Sequence, residues 1–516
     1  MYDYVFRNAL LVDGSGNKPF RADVAVYSSL ICLIAPSGSL SARHVIEKSS
    51  LVLSPGFIDI HSHDDLEVLR RPELRDKVSQ GITLDVNGNC GVGLFPLKDD
   101  ENALYETVVD ILGAYDGRWD WKDYRSYRER IERTGAGINV GFLTSHSALR
   151  FYAMGDDIAR AATPEEIEMM CLLLDEQLKE GSLGFSTGLY YSPCLFADEA
   201  EMLALLKVVK ENGGLFSVHH RCEGDDLVPS LKEVLSLAER TGVRLEISHF
   251  KAIGERNQAK VDDALSLIEE YRAEGVDVGF DQYPYEYGST GLFSLLPPPL
   301  QGLTRIEQRL AVSLENERED IKREMLSPTG WDSIYSLSGP DRIKILTLDG
   351  HRELEGMTLS EIGEEWRMDP LDALLDILSD ETGKAVMMDI TESRDNLVKI
   401  MRHPLSSFGT DSLFSSDTPH PRTKDAAMHL IREYVSKEKV LSLQEAVRKM
   451  SGENADRLNL KDRGYVKEGM KADLVLFDAE KGVVDTVLVN GKAVIRDGIY
   501  SGGLYGTVVS RGRERC

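Results

Sequence analysis

Short apolar runs and amphipathic segments alternate along most of this chain. Eight of the apolar runs have the character of buried strands, and they end near His61, Asn87, His146, Ser186, His219, His249, Tyr283 and Asp411. The clearest helical segment begins after Thr163, a good N-cap, with Pro164 at its first position, and it continues to about Glu180. Four more helices are predicted at Asp198–Lys210, Leu227–Arg240, Ala259–Glu274 and Ser442–Met450. This alternation predicts a parallel sheet covered by helices, and eight strands predict a (β/α)8 barrel.

The region between the last two predicted strands is less regular. The run Ala385–Ile390 also resembles a strand. The sequence leaves open whether it replaces the Tyr283 run as the seventh barrel strand or belongs to an insertion. Residues 297–356 are rich in proline, glycine and charge, and long connections of this kind usually have a function. We expect an insertion near the mouth of the barrel, where it could act as a lid over the site.

The two ends of the chain differ from the middle. From Tyr4 to about Val52, and again from Arg463, short alternating runs are separated by turn residues and show no helical period. Asn490-Gly491 is the strongest of the hairpin signals. We expect residues 1–54 and 463–516 to pair into one small β domain, with residues 55–462 forming the barrel.

Composition and charge narrow the classes of function. The 516 residues carry a formal net charge of −26, which disfavours binding to nucleic acid or to anionic membranes, since both attract basic surfaces. No apolar stretch approaches the ~18 residues of a membrane span, and the first residues lack the pattern of a signal peptide. The six cysteines show no paired spacing. We therefore expect a cytoplasmic protein with no membrane or nucleic-acid partner.

Side chains that can bind metal stand at the ends of several predicted strands. The first run ends in His61-Ser62-His63, and because alternate residues of a strand point to the same side, both imidazoles face one way. Equivalent positions after later strands are held by Cys90, His219, His249 and Asp411. A lone histidine at such a position is usually structural. Four imidazoles, a thiolate and a carboxylate at the carboxyl ends of barrel strands predict a metal site.

Longer motifs surround these residues. They are Gly56–Asp65, Asn87-Gly-Asn-Cys-Gly91, Gly184–Tyr191, His219-His-Arg221, Ile247–Lys251, Asp281–Tyr285 and His420-Pro-Arg422. Together they resemble the D-aminoacylase (N-acyl-D-amino-acid deacylase) family of the amidohydrolase superfamily, over nearly the whole chain. The H-x-H pair is common to amidohydrolases, whereas a cysteine in place of a bridging lysine carboxylate narrows the resemblance to this family. The resemblance implies an α/β fold, a TIM-like barrel with a small β-sandwich domain built from both termini.

The resemblance also implies a zinc enzyme. It places one tightly held Zn2+ on Cys90, His219 and His249. It places a second, weaker site on His61, His63 and Asp411, with Cys90 between the two. Thiolate and imidazole ligands suit zinc, and three protein ligands leave one position for water. The same resemblance implies that the enzyme hydrolyses the linear amide bond of an N-acyl-D-amino acid, with Asp411 as the general base and acid.

The expected partner is a small-molecule N-acyl amino acid. The resemblance assigns its α-carboxylate to Lys251, Tyr283, Ser289 and Arg422. A carboxylate in a cleft needs a cation or several hydrogen-bond donors, and an arginine can bind it through two parallel hydrogen bonds. The sequence does not determine the acyl group, the preferred side chain or the oligomeric state, and a homo-oligomer stays open.

Two other functions stay open from the sequence. One is hydrolysis of cyclic amides, as in hydantoinases and dihydroorotases, and the other is a non-catalytic scaffold of the same fold. The cysteine and the set of Lys251, Tyr283 and Arg422 disfavour the cyclic substrates. The scaffold is disfavoured because all six metal-binding positions carry suitable residues.

Overall fold

A parallel barrel lies at the centre of the computed structural model, which describes residues 1–38, 40–98, 102–416 and 418–512. Its eight strands pair in chain order, and they are Phe57–Asp59, Ile82–Asn87, Asn139–Ser145, Gly184–Gly188, Leu215–His219, Arg244–Ile247, Val278–Gln282 and Ser406–Phe408. The first and eighth strands are joined just beyond their ends, where the Asp411 N–H donates to His61 O at 2.8 Å. The predicted (β/α)8 barrel is confirmed.

Helices cover the outside of the barrel. Those that follow the first six strands are Glu67–Arg70, Arg75–Val78, Asn102–Leu112, Tyr124–Thr134, His146–Met154, Pro164–Glu180, Glu199–Glu211, Leu227–Thr241 and Lys260–Ala273, with 3-10 turns at Cys194–Phe196 and Glu255–Asn257. Those after the eighth strand are Arg422–His429, the π-helical Leu430–Lys437, Leu443–Met450 and Gly452–Arg457. Thr163 forms a capping box with Glu166, as expected from its sequence. In the described ranges, no helix has the length and apolar character needed to cross a membrane.

The connection between the seventh and eighth barrel strands is a large insertion. Its antiparallel sheet consists of Gly288–Gly291, Ala385–Asp389 and Ile343–Leu348, with Ala385–Asp389 in the middle. Its helices are Pro298–Gln301, Arg305–Ser313, Glu315–Leu326, Ile334–Ser338, Leu359–Trp366, Pro370–Asp380 and Arg394–Arg402, with 3-10 turns at Leu292–Leu295, Pro340–Arg342 and Arg352–Leu354. It has an apolar core of its own that includes Leu295, Ile345 and Leu374. The Ala385 run therefore belongs to this insertion, and the Tyr283 run supplies the seventh barrel strand.

Both ends of the chain contribute to one nine-stranded sheet. Its strands are Tyr2–Leu11, Phe20–Tyr27, Leu30–Ala35, Ala42–Ile46, Val52–Pro55, Leu474–Asp478, Val483–Val489, Lys492–Arg496 and Ile499–Tyr500. The two halves meet where Val52–Pro55 runs antiparallel to Leu474–Asp478. Along the latter strand, Leu474 and Leu476 pack on the terminal strands, whereas Val475 and Phe477 pack in the same cluster as barrel residues. Both ends of the chain thus form one sheet, while the limits 1–54 and 463–516 stay a prediction; residues 513–516, with Cys516, lie outside the described ranges.

A fully buried lysine links the two ends of the barrel sheet. Five oxygen atoms lie within 3.2 Å of Lys77 Nζ, namely Asp59 Oδ2, Asp64 Oδ2, Asp85 Oδ1, Ser62 Oγ and Thr410 Oγ1. Asp59 also accepts the backbone N–H of Thr410 at 2.8 Å, so the loop after the first strand is held against the loop after the eighth. Burial alone lowers the pKa of Lys77, but the three carboxylates raise it above its ordinary value. The ammonium therefore stays charged.

We expect Lys77→Met to lower the free energy of unfolding by about 3–5 kcal/mol, because it leaves three buried carboxylates without their cation. Urea unfolding followed by circular dichroism measures the change. The matched control is Lys179→Met, which removes a lysine that is 68% exposed and paired with Asp175. That change should cost less than about 1 kcal/mol. Equal small effects of the two substitutions would show that the buried network contributes little to stability.

Candidate metal centre

Two groups of buried ligand residues share Cys90. One group is His61, His63 and Cys90, the other is Cys90, His219 and His249, and the ligand atoms of each group lie within 4.8 Å of one another. Cys90 Sγ is 3.3 Å from His61 Nε2 and 3.5 Å from His249 Nε2. His219 Nδ1 is 2.9 Å from His249 Nε2. The structure thus brings the predicted imidazoles and the thiolate together at the carboxyl ends of the barrel strands.

Three residues of the centre have a strained backbone. Cys90, His249 and Asp411 have φ angles of 51°, 35° and 50°, in the left-handed region that residues with a side chain rarely adopt. Each residue lies just beyond the end of a barrel strand, where a left-handed turn redirects its side chain. Such a conformation costs about 1–3 kcal/mol and persists only where the surrounding structure enforces it. Its recurrence in three candidate ligands supports a functional site.

Two carboxylates orient the imidazoles. Asp281 Oδ2 lies 3.1 Å from His61 Nδ1, and Asp281 Oδ1 accepts the backbone N–H of His249 at 3.0 Å. Glu223 Oε1 lies 3.1 Å from His249 Nδ1. A carboxylate on one imidazole nitrogen fixes the ring and presents the other nitrogen to a metal. Sequence reasoning did not assign a role to either residue, although Asp281 belongs to the motif that contains Tyr283.

Asp411 lies between two imidazoles and an arginine. Its Oδ1 is 3.3 Å from His63 Nε2 and 3.6 Å from His61 Nε2, and its Oδ2 is 2.9 Å from Arg422 Nη1. Burial alone raises the pKa of Asp411, but Arg422 and the imidazoles hold that pKa well below its ordinary value. The carboxylate is therefore ionised, and it can bind a metal or accept a proton.

The four residues expected to bind a carboxylate lie beside this cluster. Lys251, Tyr283, Ser289 and Arg422 line a cavity of about 50 Å³ together with His219, His249 and Asp411. Lys251 Nζ donates to Glu223 Oε1 at 2.8 Å, and Tyr283 Oη donates to Glu392 Oε1 at 2.9 Å. Ser289 Oγ donates to the Met387 carbonyl at 2.8 Å. The cavity is thus lined by several groups that can donate hydrogen bonds.

Arg422 is the donor with the most unused capacity in this cavity. Its guanidinium carbon lies 4.5 Å from the centre of the Tyr283 ring, and its Nη2 donates to the Ser289 carbonyl at 3.2 Å. Within the described part of the chain, its Nε and Nη1 are buried and make no hydrogen bond, although Nη1 lies close to Asp411. A buried donor without an acceptor is costly, so a ligand carboxylate would be bound favourably here.

The donor set is suitable for zinc. Burial raises the pKa of the Cys90 thiol, but His61 and His249 lower it well below its ordinary value, so the sulfur is a thiolate. Zinc prefers thiolate and imidazole ligands in groups of three or four. Cys90, His219 and His249 form such a group, and His61 and His63 form another with the same sulfur, with Asp411 Oδ1 within 3.6 Å of both imidazoles.

Comparison with known proteins identifies the family. The model described as "Amidohydrolase family" matches residues 50–290 and 361–499. The chain belongs to the amidohydrolase family. Two of its relatives come from Alcaligenes xylosoxydans xylosoxydans. Its N-acyl-D-aspartate deacylase is 31% identical over 97% of this chain and 90% of that protein, and its D-aminoacylase is 30% identical over 99% and 98%.

A solved structure supports the same family assignment. The N-acyl-D-glutamate deacylase of Bordetella bronchiseptica, complexed with zinc and a phosphonate mimic of the tetrahedral intermediate, superposes with a TM-score of 0.84. The two chains are 29% identical, and the match covers 99% of each. Within the amidohydrolase family, this chain therefore belongs with the D-aminoacylases, as its motifs predict.

We expect Cys90→Ala to remove most of the zinc from this amidohydrolase, because the substitution deletes the ligand shared by both groups. Inductively coupled plasma mass spectrometry of protein purified in metal-free buffer measures the zinc content. The matched control is Cys222→Ala, which removes a buried cysteine that belongs to neither ligand group. It should retain its zinc. If both variants bind as much zinc as the unmodified protein, Cys90 is not a ligand.

Proposed function

We propose that the chain hydrolyses the amide bond of N-acyl-D-amino acids, or of related N-blocked D-residues, to a carboxylic acid and a free D-amino acid. The observation that carries the proposal is that candidate metal ligands and candidate carboxylate-binding residues lie in the same place. His219 and His249 of the group that they form with Cys90, together with Asp411, line the cavity that contains Lys251, Tyr283, Ser289 and Arg422. An amide at the metal would therefore have its carboxylate beside cations. The relatives named above are N-acyl-D-aspartate deacylase and D-aminoacylase, which supports the D configuration.

Zinc is the proposed cofactor. Cys90, His219 and His249 would hold the tight ion, and His61, His63 and Asp411 a second, weaker one, with Cys90 between them. When bound, zinc supplies a Lewis acid that polarises the carbonyl and increases the acidity of an attacking water. Each site would have one imidazole held by a carboxylate, since Glu223 lies beside His249 of the first site and Asp281 lies beside His61 of the second.

Asp411 is the proposed general base and acid. Its carboxylate is ionised and is held between His63 and Arg422, so one oxygen faces the ligand groups. In this position it can accept a proton from the attacking water and return it to the nitrogen of the leaving amine. The return of the proton matters because an amine anion is a very poor leaving group.

The substrate carboxylate is proposed to bind at Arg422. This side chain lines the cavity with Lys251 and Ser289; within the described residues its buried Nε makes no hydrogen bond, and its Nη1 is ion-paired with Asp411. Charge-assisted hydrogen bonds to a carboxylate are about twice as strong as neutral ones. Binding at this point would hold the α-carbon in one orientation, which is the basis of discrimination between D and L substrates.

A cytoplasmic location is also proposed. The five cysteines in the described ranges are all free, which is usual in a reducing compartment.

A substrate panel tests the proposed function. The zinc-loaded protein is incubated with N-acetyl and N-formyl amino acids and with dipeptides in both configurations, and with hydantoin and dihydroorotate as cyclic amides. Release of the free amine or opening of the ring is measured. We expect hydrolysis of linear D substrates, with kcat/KM for the L forms lower by about a hundredfold or more, since misplacing the scissile bond by 1 Å can cost that much. Activity confined to cyclic amides, or to L substrates, would contradict the proposal.

We expect Asp411→Asn to lower kcat by about a thousandfold, because an amide cannot accept the proton of the attacking water. Zinc at Cys90 should be largely retained, and the zinc content is measured with the activity. Asp425→Asn is the matched control, since Asp425 forms a partly exposed ion pair with Arg432. A value of kcat within tenfold of the unmodified enzyme for Asp411→Asn would show that another group is the base.

We expect Arg422→Gln to reduce kcat/KM for an N-acyl-D-amino acid by roughly tenfold to a hundredfold more than for the matching N-acyl-D-amino amide. The neutral amide cannot form the charge-assisted pair, so the difference isolates carboxylate binding from damage to Asp411. Arg221→Gln, which removes a partly exposed partner of Glu233, should affect both substrates equally and little. Equal losses for acid and amide in Arg422→Gln would mean that this arginine does not bind the carboxylate.

A further inference from the structure

A second cavity reaches the ligand groups from the side of Cys90. Its volume is about 160 Å³, compared with about 50 Å³ for the cavity that contains Arg422. Tyr191 and Thr290 line both cavities, and Tyr191 Oη lies 3.2 Å from Thr290 Oγ1. The two cavities therefore meet at this pair of residues beside the metal ligands. The proposed function uses only the smaller one.

The walls of the larger cavity are mainly apolar. Among the residues that line it are Val92, Ile111, Phe151, Ile158 and Phe293. Gly291 lies close to Asp110 in this wall: a Cβ at Gly291 would lie 3.0 Å from Asp110 Cβ, so a larger residue there would crowd the wall. An apolar cavity of about 150 Å³ is known to hold benzene, a molecule of six carbon atoms. An acetyl group, with two carbon atoms, would fill only part of this space.

The charges of the cavity disfavour an anionic occupant. Its arginine, Arg305, is paired with Asp110 at 2.8 Å and stacks on Phe293, with 3.5 Å from the guanidinium carbon to the ring centre. Glu106 and Asp156 also line the cavity. Three acidic residues thus accompany one arginine that already has a partner. A group that carries a carboxylate would be repelled, whereas a neutral apolar group would be accommodated.

We propose that this cavity binds the acyl group of the substrate, and that the preferred acyl group is a neutral, apolar chain or ring of about six carbon atoms. This inference rests on the proposed function. With the α-carboxylate beside Arg422 and the scissile carbonyl at the metal ligands, the acyl chain extends from the carbonyl away from the carboxylate. The cavity that begins at Cys90 is the space available to it.

A series of acyl chain lengths on one D-amino acid tests the inference. The substrates carry acetyl, butanoyl, hexanoyl, decanoyl and adipoyl groups, and kcat/KM is measured for each. Burial of a methylene contributes about fourfold, and hexanoyl has four more methylenes than acetyl, so we expect a rise of about two-hundredfold. Decanoyl should bring no further gain, and adipoyl, with its terminal carboxylate, should lose the gain of hexanoyl.

The outcomes distinguish this inference from the proposed function. Equal kcat/KM values from acetyl to hexanoyl would overturn the assignment of the cavity while leaving the deacylase function intact. Adipoyl as good as hexanoyl would overturn the preference for a neutral group. The absence of amine release from every N-acyl amino acid of either configuration would instead overturn the proposed function itself.

A cavity-filling variant locates the effect. Ile111→Trp places a large ring in the cavity, and we expect the ratio of kcat/KM for hexanoyl to that for acetyl to fall at least tenfold. Leu303→Trp, at another lining residue that is more exposed, is a second variant should the first fail to fold. Ile306→Trp is the matched control, since Ile306 is 71% exposed and does not line the cavity. An unchanged ratio in a folded lining variant, or an equal fall in the control, would contradict the assignment.

Discussion

The positions of the loops around the candidate metal centre depend on the buried ion network of Lys77. Its ammonium is surrounded by Asp59, Asp64 and Asp85. It also donates to Thr410, which lies in the loop after the eighth strand. Asp59 binds the backbone of the loop that contains Asp411, so one cation fixes the loops after the first and eighth strands together. Because charges buried without partners are very unfavourable, the loops have few alternative arrangements. His61, His63 and Asp411 are thereby held in place.

Rigid support of this kind explains how the strained residues persist. Cys90, His249 and Asp411 all have a left-handed backbone, and two of them are held from another strand, because the His249 N–H donates to Asp281 and the Asp411 N–H donates to the His61 carbonyl. Asp281 is the clearest brace, since it binds the ring of His61 with one oxygen and the backbone of His249 with the other. The site that results has the cavity with Lys251 and Arg422 on one side and a larger, mainly apolar cavity on the other. An N-acyl amino acid has the same polarity, with a carboxylate at one end and an acyl group at the other.

Much of this arrangement could be predicted from the sequence, because it depends on local patterns. The predicted helices agree with the observed ones to within one residue at each end, since caps and apolar periods mark their limits. The candidate ligands could be predicted to lie together because the strands of a barrel end at the same rim. The Ala385 run could not be assigned, since a short apolar strand looks alike in a barrel and in a small separate sheet.

Lys77 was missed because a lysine in a helix is normally exposed, and its partner Thr410 is 333 residues away. Glu223 was missed because it lies in a loop beyond His219, away from the strand ends.

The position of bound zinc is the sharpest test of the proposed metal centre. Crystals of the zinc-loaded protein are measured on both sides of the zinc absorption edge, and an anomalous difference map gives the position of the ion. We expect the strongest peak among Cys90 Sγ and the imidazoles of His219 and His249, and any weaker peak beside His61, His63 and Asp411. The proposed metal centre would be contradicted by a map that has no peak at Cys90 and shows zinc instead at the buried pair of His146 and Glu201 or on surface carboxylates.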